Sequence, residues 1–372
     1  MRGNRVVAAL LAGAVAWTLA GCGSSGDPGR ASGTEAGTGS LEAKDNKEIV
    51  YISIGMSNAY DVAYRKSAKA ELSRYGYTLT TLDANFDQSK SDQVVQQYLA
   101  TGKTPAGFLW QPVDPSAGAN SSRLLARRAP VLQVSQLPRS DAAFGYAATN
   151  QEAVGEQMGK LLLEARAKAT SMGVKLHSSG GNLLYLDGTP GSPALDDRYR
   201  GIMKATQSAP FTMISRAAGG FDSDAGYKAA NTTIPQFKGE GIDFIVAFNL
   251  GVASGAVRAA QQNGLALGQS TFLVAGDCGT GQMSQVASGL IYGTVVQSGY
   301  VEGLVSARSL VQRIATGKTT PDTVTLPVSA TEPPLTATPP SQVTFMDVPA
   351  ATATNLDTRY WGVTYNEACS GT

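Results

Sequence analysis

Short apolar runs alternate along this chain with longer segments in which apolar positions recur every three or four residues. From Lys47 onward the order is strand, then helix. Residues 49–54 read as a buried strand, 60–75 as a helix stopped at Gly76, and 78–83 as a second strand. A helix opened by Ser89 stops at Gly102, 107–110 is a strand, 116–128 a helix and 131–134 a strand. Such alternation implies parallel strands joined by crossover helices. The rhythm then restarts. Asn150 caps a helix running to Ala169, 182–186 is a strand, 196–207 a helix, 213–216 a strand, and Asp222 opens another helix. Strands at 244–247, 272–275 and 294–296 follow, with a helix between the first two that carries Val252, Ala256, Val257 and Ala260 on one face and ends at Gly264. Two similar series predict an α/β fold of two doubly wound parallel-sheet lobes with a cleft between them, and in such sheets ligands sit at the carboxyl ends of the strands.

The first 21 residues break the pattern. Arg2 and Arg5 precede an apolar run, 6–19, which ends at Leu19-Ala20-Gly21-Cys22. A positive start, an apolar stretch and small residues make an export signal, and the cysteine directly after them makes it resemble a bacterial lipobox. That resemblance implies cleavage before Cys22 and a diacylglycerol on its thiol. The apolar run is short for a lone membrane span, so the mature protein is expected outside the cytoplasm, held to the cell membrane by lipid only. Residues 22–46 are rich in Gly, Ser and other small or polar residues and read as a flexible tether.

Charge adds little. The chain has 30 Lys and Arg against 29 Asp and Glu, and loss of Arg2 and Arg5 with the leader brings the balance to −1. No nucleic-acid partner is implied. About 350 residues remain, enough for two ordinary domains.

The residues at the strand ends resemble those of a type I periplasmic sugar-binding protein, the ribose- and galactose-binding family of ABC importers. Ser57-Asn58-Ala59-Tyr60 follows the first strand, where that family has an Asn followed by aromatics. Gln111-Pro112-Val113-Asp114 follows the third, and Asn150 and Gln151 stand at the first lobe crossing. Asp197-Arg198-Tyr199-Arg200-Gly201 is similar to the family's Arg-x-Arg-Gly helix start. Phe221-Asp222, Asn249, Asp277 and Gln297 match in order along the rest. The resemblance runs over residues 47–318 and implies two lobes joined by a multi-strand hinge. Residues 47–149 with 298–322 form one lobe, 150–297 with 323–348 the other, and 349–372 dock on a lobe. Crossings are expected near 149–150, 297–298 and 320–325.

The implied ligand set is Asn58, Tyr60, Ser135, Gln136, Arg200, Phe221, Asn249, Asp277 and Gln297. Aromatic rings, Tyr60 and Phe221, cover the C–H faces of a sugar or polyol. Amides, a carboxylate and a guanidinium serve its hydroxyls, with Asp277 and Arg200 pairing to compensate each other's charge. Any one of these Asn or Asp residues is equally explained by a turn or a cap. Ser135 and Gln136 stand where the family commonly has Asp-Arg, which leaves open a smaller polyol, a cyclitol, a modified sugar or a non-sugar solute.

Catalytic readings find no support. The single histidine, His177, sits in a polar loop and is expected at the solvated surface; with Cys22 lipidated, no zinc cluster is available. Gly102-Lys103-Thr104 and Gly317-Lys318-Thr319 end like P-loops, but Gln97 and Gln312 stand where the first glycine is needed. No cofactor and no metal are expected. The function implied is a monomeric transport receptor delivering its solute to an ABC permease, the alternative being a sensory binding protein presenting it to a signalling partner. Of three cysteines, lipidation takes Cys22, which leaves Cys278 and Cys369 to form a disulfide in an oxidising compartment, or to stay as two free thiols.

Overall fold

The structure is a computed structural model and describes residues 41–370 apart from 44, 136–139, 141, 191, 280, 318–341 and 362. The leader, Cys22, most of the tether, Gln136 and the crossing expected at 320–325 lie outside the described residues.

The first lobe is built from β1 (Glu48–Ser53), α1 (Ala59–Ser73), β2 (Thr78–Asp83), α2 (Gln88–Ala100), β3 (Gly107–Trp110), α3 (Ala119–Ala126), β4 (Val131–Val134) and β5 (Gly145–Thr149). The second runs through α4 (Gln151–Ser171), β6 (Asn182–Asp187), α5 (Pro193–Ala205), β7 (Thr212–Ala218), α6 (Ser223–Phe237), β8 (Phe244–Ala247), α7 (Leu250–Gln262), β9 (Phe272–Ala275), α8 (Met283–Ala287) and β10 (Gly293–Val295). The chain returns to the first lobe as α9 (Gly299–Thr316), packed on α1, and as β11 (Gln342–Met346). It ends on β12 (Ala350–Thr352), the hairpin β13 (Arg359–Tyr360) and β14 (Val363–Thr364), and α10 (Tyr365–Ser370).

The two sheets repeat one plan. The first has the order β11-β5-β4-β3-β1-β2 and the second β12-β10-β9-β8-β6-β7. All pairings within them are parallel except β12 against β10. Central strands such as β3, β8 and β9 are buried at every position, as expected for a parallel sheet covered on both faces by helices. In each lobe the order reverses between the first and third strands, and the crevice at that switch point opens toward the other lobe.

Three findings correct the sequence reading. β5 was not read as a strand there: its Gly145, Ala147 and Ala148 are residue types depleted in strands. β11 pairs with β5 in the first lobe, whereas residues 323–348 were expected in the second. The third crossing accordingly lies between Met346 and Ala350, where the chain passes from β11 to β12. The last segment, in turn, does not choose one lobe. Tyr360 and Trp361 pack near Val301, Val305 and Met346, while Tyr365, Ala368 and Cys369 join the second lobe's core.

Candidate functional site

Between the lobes lies a cleft of about 630 Å³, walled by the carboxyl ends of both sheets. From the first lobe come Asn58, Tyr60 and Asp61 at the start of α1, Phe86 after β2, Gln111 after β3 and Ser135 after β4. From the second come Arg198 on α5, Phe221 before α6, Phe248 and Asn249 after β8, and Asp277 after β9; Gln151 and Gln297 line it at two crossings. The structure thus brings Asn58, Tyr60, Ser135, Phe221, Asn249, Asp277 and Gln297 to one cleft.

Arg200 is not among them. It points to solvent, about half exposed, and pairs with Glu152 (2.9 Å) and Asp197. The guanidinium in the cleft belongs to Arg198. Two residues along a helix turn a side chain by about 200°, so only one of the pair can face the cleft. Leu195 and Ile202 are buried on the same stripe as Arg198, and that i, i+3, i+7 spacing is the signal that identifies it. Arg198 is nearly saturated. Its Nη2 donates to Asp277 Oδ1 (2.6 Å) and Gln297 Oε1 (2.9 Å), its Nε to Gln151 Oε1 (2.8 Å) and its Nη1 to the Phe248 carbonyl (2.6 Å). The guanidinium also lies 4.0 Å from the centre of the Phe248 ring, a cation–π contact. Burial pushes the Asp277 carboxyl up, and the Arg198 charge opposes that.

The first-lobe wall is different. Tyr51 donates to Asp61 Oδ1 (2.8 Å), and Asn58 Nδ2 donates to Asp61 Oδ2 (2.5 Å). Burial drives the Asp61 carboxyl up to about 7. On α9, Glu302 accepts from Tyr60, from Thr149 (2.6 Å), from Ser135 (3.2 Å) and from Gln297 Nε2 (3.3 Å), and burial raises it also to about 7. No salt bridge reaches either carboxylate among the described residues. Sequence reading passed over both, because an acidic residue in a helix normally marks a solvated face.

The aromatic pair is also re-cast. Tyr60 spends its hydroxyl on Glu302 and Ser135 (2.5 Å). The ring facing Phe221 across the cleft is Phe86, with centroids 6.5 Å apart. Phe86 stands alone between β2 and α2, outside any apolar period. Phe86, Ser135 and Asp277 all hold left-handed backbone, with φ of 58°, 60° and 53°. Each such residue costs about 1–3 kcal/mol, and three lining one cleft mark it as the place where geometry was held against stability.

Asn58 and Asn249 cap α1 and α7, Asn58 accepting from Asp61 N–H (2.7 Å) and Asn249 from Val252 N–H (2.8 Å). Asn249 also donates to the Phe221 carbonyl (2.9 Å), fixing the loop that carries that ring. For these two the capping reading holds, and each still lines the cleft. His177 is half exposed but not free: its Nδ1 lies 2.7 Å from Asp243 Oδ1. That pair sits at the amino ends of the second sheet, away from the cleft.

Cys278 and Cys369 are joined by a disulfide, with Cα atoms 4.9 Å apart. The bond ties α10 to the residue next to Asp277. Among the described residues no group of three or more His, Cys, Asp and Glu is placed to hold a metal ion, and no helix is long and apolar enough to cross a membrane.

Known proteins share this architecture. The ribose import binding protein of Salmonella typhimurium is 24% identical over 231 residues, 62% of this chain and 73% of that protein. A galactofuranose-binding protein of solved structure superposes with a TM-score of 0.68 at 18% identity, covering 83% of this chain and 95% of its own. The Caulobacter myo-inositol-binding protein does so with 0.64 at 18% identity, covering 74% and 90%. The periplasmic binding protein domain matches residues 49–319, and with two parallel-sheet lobes around an interlobe cleft, the chain belongs to the periplasmic binding protein family in its type I form.

Proposed function

We propose that this protein captures a sugar or related polyol in the cleft, outside the cytoplasm, and delivers it to an ABC permease while tethered to the membrane through a lipid on Cys22. The observation that carries the reading is the pairing of donors, acceptors and rings across one cleft. Phe86 and Phe221 offer apolar faces, Asp277 keeps one carboxylate oxygen outside its bond to Arg198, and Gln297 keeps one amide hydrogen outside its bond to Glu302. Such a fringe suits hydroxyls, which both donate and accept. The cleft's guanidinium is committed to Asp277, Gln297, Gln151 and a carbonyl, which argues against an anionic solute. The relatives add direction, since proteins named for ribose import, galactofuranose binding and myo-inositol binding share the fold.

Closure proceeds about the three crossings, at 149–151, 296–298 and 347–349. The lobes already touch at Gly279, where an added Cβ would lie 2.5 Å from the Ala59 Cβ in the opposite lobe. A thermal-shift screen with D-ribose, D-arabinose, myo-inositol and furanose sugars tests the proposal, because a ligand bound only by the folded state raises the melting temperature. At least one of these should raise it in a concentration-dependent way. A panel without effect, together with a shift from an amino acid or an organic acid, would overturn the reading.

A further inference from the structure

Glu302 is not part of the cleft surface, yet it touches more of the site than most residues that are. It lies in the first turn of α9, immediately before Gly303. Gly299 and Gly303 let α9 close on α1, since a Cβ on either would overlap the backbone of Tyr60 or of Tyr64. That close approach brings the Glu302 carboxylate under Tyr60. One oxygen then accepts from Tyr60 and Ser135 in the first lobe; the other accepts from Thr149 at the first crossing and Gln297 at the second. Tyr60, Thr149 and Gln297 donate to the carboxylate, which fixes which way each points, while Ser135 shares its one hydrogen between Glu302 and the Tyr60 oxygen (2.5 Å). For Gln297 the consequence is specific. With Nε2 turned to Glu302, its Oε1 faces Arg198 (2.9 Å) and Gln151 Nε2 (3.3 Å) and is filled. What Gln297 still offers is a single N–H.

We propose that Glu302 is a positioning residue of the ligand site: from behind the cleft it sets Gln297 as a donor to ligand, holds Tyr60, and ties both to two of the crossings about which the lobes turn. The inference rests on the sugar-binding reading for its consequence, but its geometry stands without it. A ligand would then need an acceptor, such as a ring oxygen or a hydroxyl lone pair, toward Gln297, and a hydroxyl donor toward the adjacent Asp277.

The titratable groups facing Glu302 are Tyr60 and Tyr64 from α1, Tyr360 from the C-terminal segment and Asp277 from the loop after β9. Asp61 interacts with Tyr60 from the other side. The test uses the full ligand-free chain first. The side-chain amide resonance of Gln297 is followed by NMR from pH 5.5 to 8.5 in wild type, Glu302→Gln and Asp61→Asn. It should move with a midpoint near 7 in wild type and Asp61→Asn, and stay fixed in Glu302→Gln. The same movement in Glu302→Gln, or a Gln297 amide resonance that is the same in Glu302→Gln as in wild type at every pH, overturns the proposal; if Glu302→Gln does not fold, the Asp61→Asn arm decides, since loss of the movement there assigns it to Asp61.

The second arm measures affinity for the tightest-binding sugar of the panel in Glu302→Gln, Tyr60→Phe and the double variant. Each single change should weaken binding by about tenfold, as for hydrogen bonds to a charged group. The double should be no more than about threefold weaker than the worse single, since the two act through one bond. Strict additivity would assign Glu302 a merely structural role. If no sugar binds wild type, the sugar reading falls, while the amide titration still decides the role of Glu302.

Discussion

The two walls of the cleft solve the same problem in opposite ways. Each buries carboxylates beside a ligand surface. In the second lobe, Asp277 is held by Arg198 at 2.6 Å, and that guanidinium is in turn fixed by a ring, a carbonyl and two amides. In the first lobe, Asp61 and Glu302 have hydroxyl and amide donors but no cation, and burial lifts both to about 7. Burial lifts the Asp277 carboxyl too, but there the Arg198 charge opposes the shift, whereas no cation among the described residues opposes it at Asp61 and Glu302. The second wall is therefore built in advance and the first is conditional.

The largest effect should come from breaking the compensated wall. Arg198→Ala leaves Asp277 buried without its partner, loosens Gln297 and Gln151, and strips the Phe248 ring of its cation. Removing one member of a buried pair costs about 3–5 kcal/mol. Denaturation and calorimetry should show a loss of that order in stability together with abolished binding. Near wild-type values in both would mean that the two walls do not differ as described.

The disulfide belongs to the same wall, since Cys278 adjoins Asp277 and Cys369 brings α10 onto it. Closing a loop with a sequence separation of 91 stabilises by roughly 2–5 kcal/mol. Cys278→Ser with Cys369→Ser should lower the melting temperature and weaken binding by loosening the Asp277 loop. An unchanged melting temperature, or two alkylatable thiols in freshly purified protein, would remove the bond from the account.

The conditional wall shows itself through pH. Asp61 and Glu302 titrate near 7 in the folded chain and near 4 when unfolded. Between those values the unfolded state binds fewer protons than the folded one, so stability falls as pH rises from about 4 to about 7. The slope is about 1.4 kcal/mol per pH unit for each group fully offset. Asp61→Asn and Glu302→Gln should each flatten the slope over that window. A wild-type curve flat from pH 4.5 to 7 would place cations near these groups after all.

How much of this was legible follows a physical line. β8 and β9 are short apolar runs opened by Asp243 and Thr271, and their ends in the structure are the ends read from sequence. β5 and β11 were misread or misplaced because their identity lies in pairing with each other across nearly 200 residues. Asn58, Asn249 and Asp277, which the family resemblance picked out near strand ends, do line the cleft, because a residue that caps a helix or follows a strand is placed by the local chain. Asp61, Glu302 and Phe86 were missed because their roles depend on what folding brings opposite them. Nothing local distinguishes a glutamate beneath Tyr60 from one on a solvated face.

Arg198 and Arg200 give the smallest and sharpest test. They are separated by one residue, carry the same group and form ion pairs of similar length, Arg198 with Asp277 at 2.6 Å and Arg200 with Glu152 at 2.9 Å. Their surroundings differ: the Arg198 side chain is 3% exposed and that of Arg200 is 53% exposed. An exposed pair in high dielectric, screened by salt, contributes about 0–1 kcal/mol. Arg200→Ala should therefore change stability by no more than that and leave affinity for any sugar unchanged, while Arg198→Ala abolishes binding. Parallel titrations of the two variants read the contrast directly. Comparable loss of affinity in both would mean that the helix face turned to the cleft has been assigned wrongly, and with it the origin of the compensated wall.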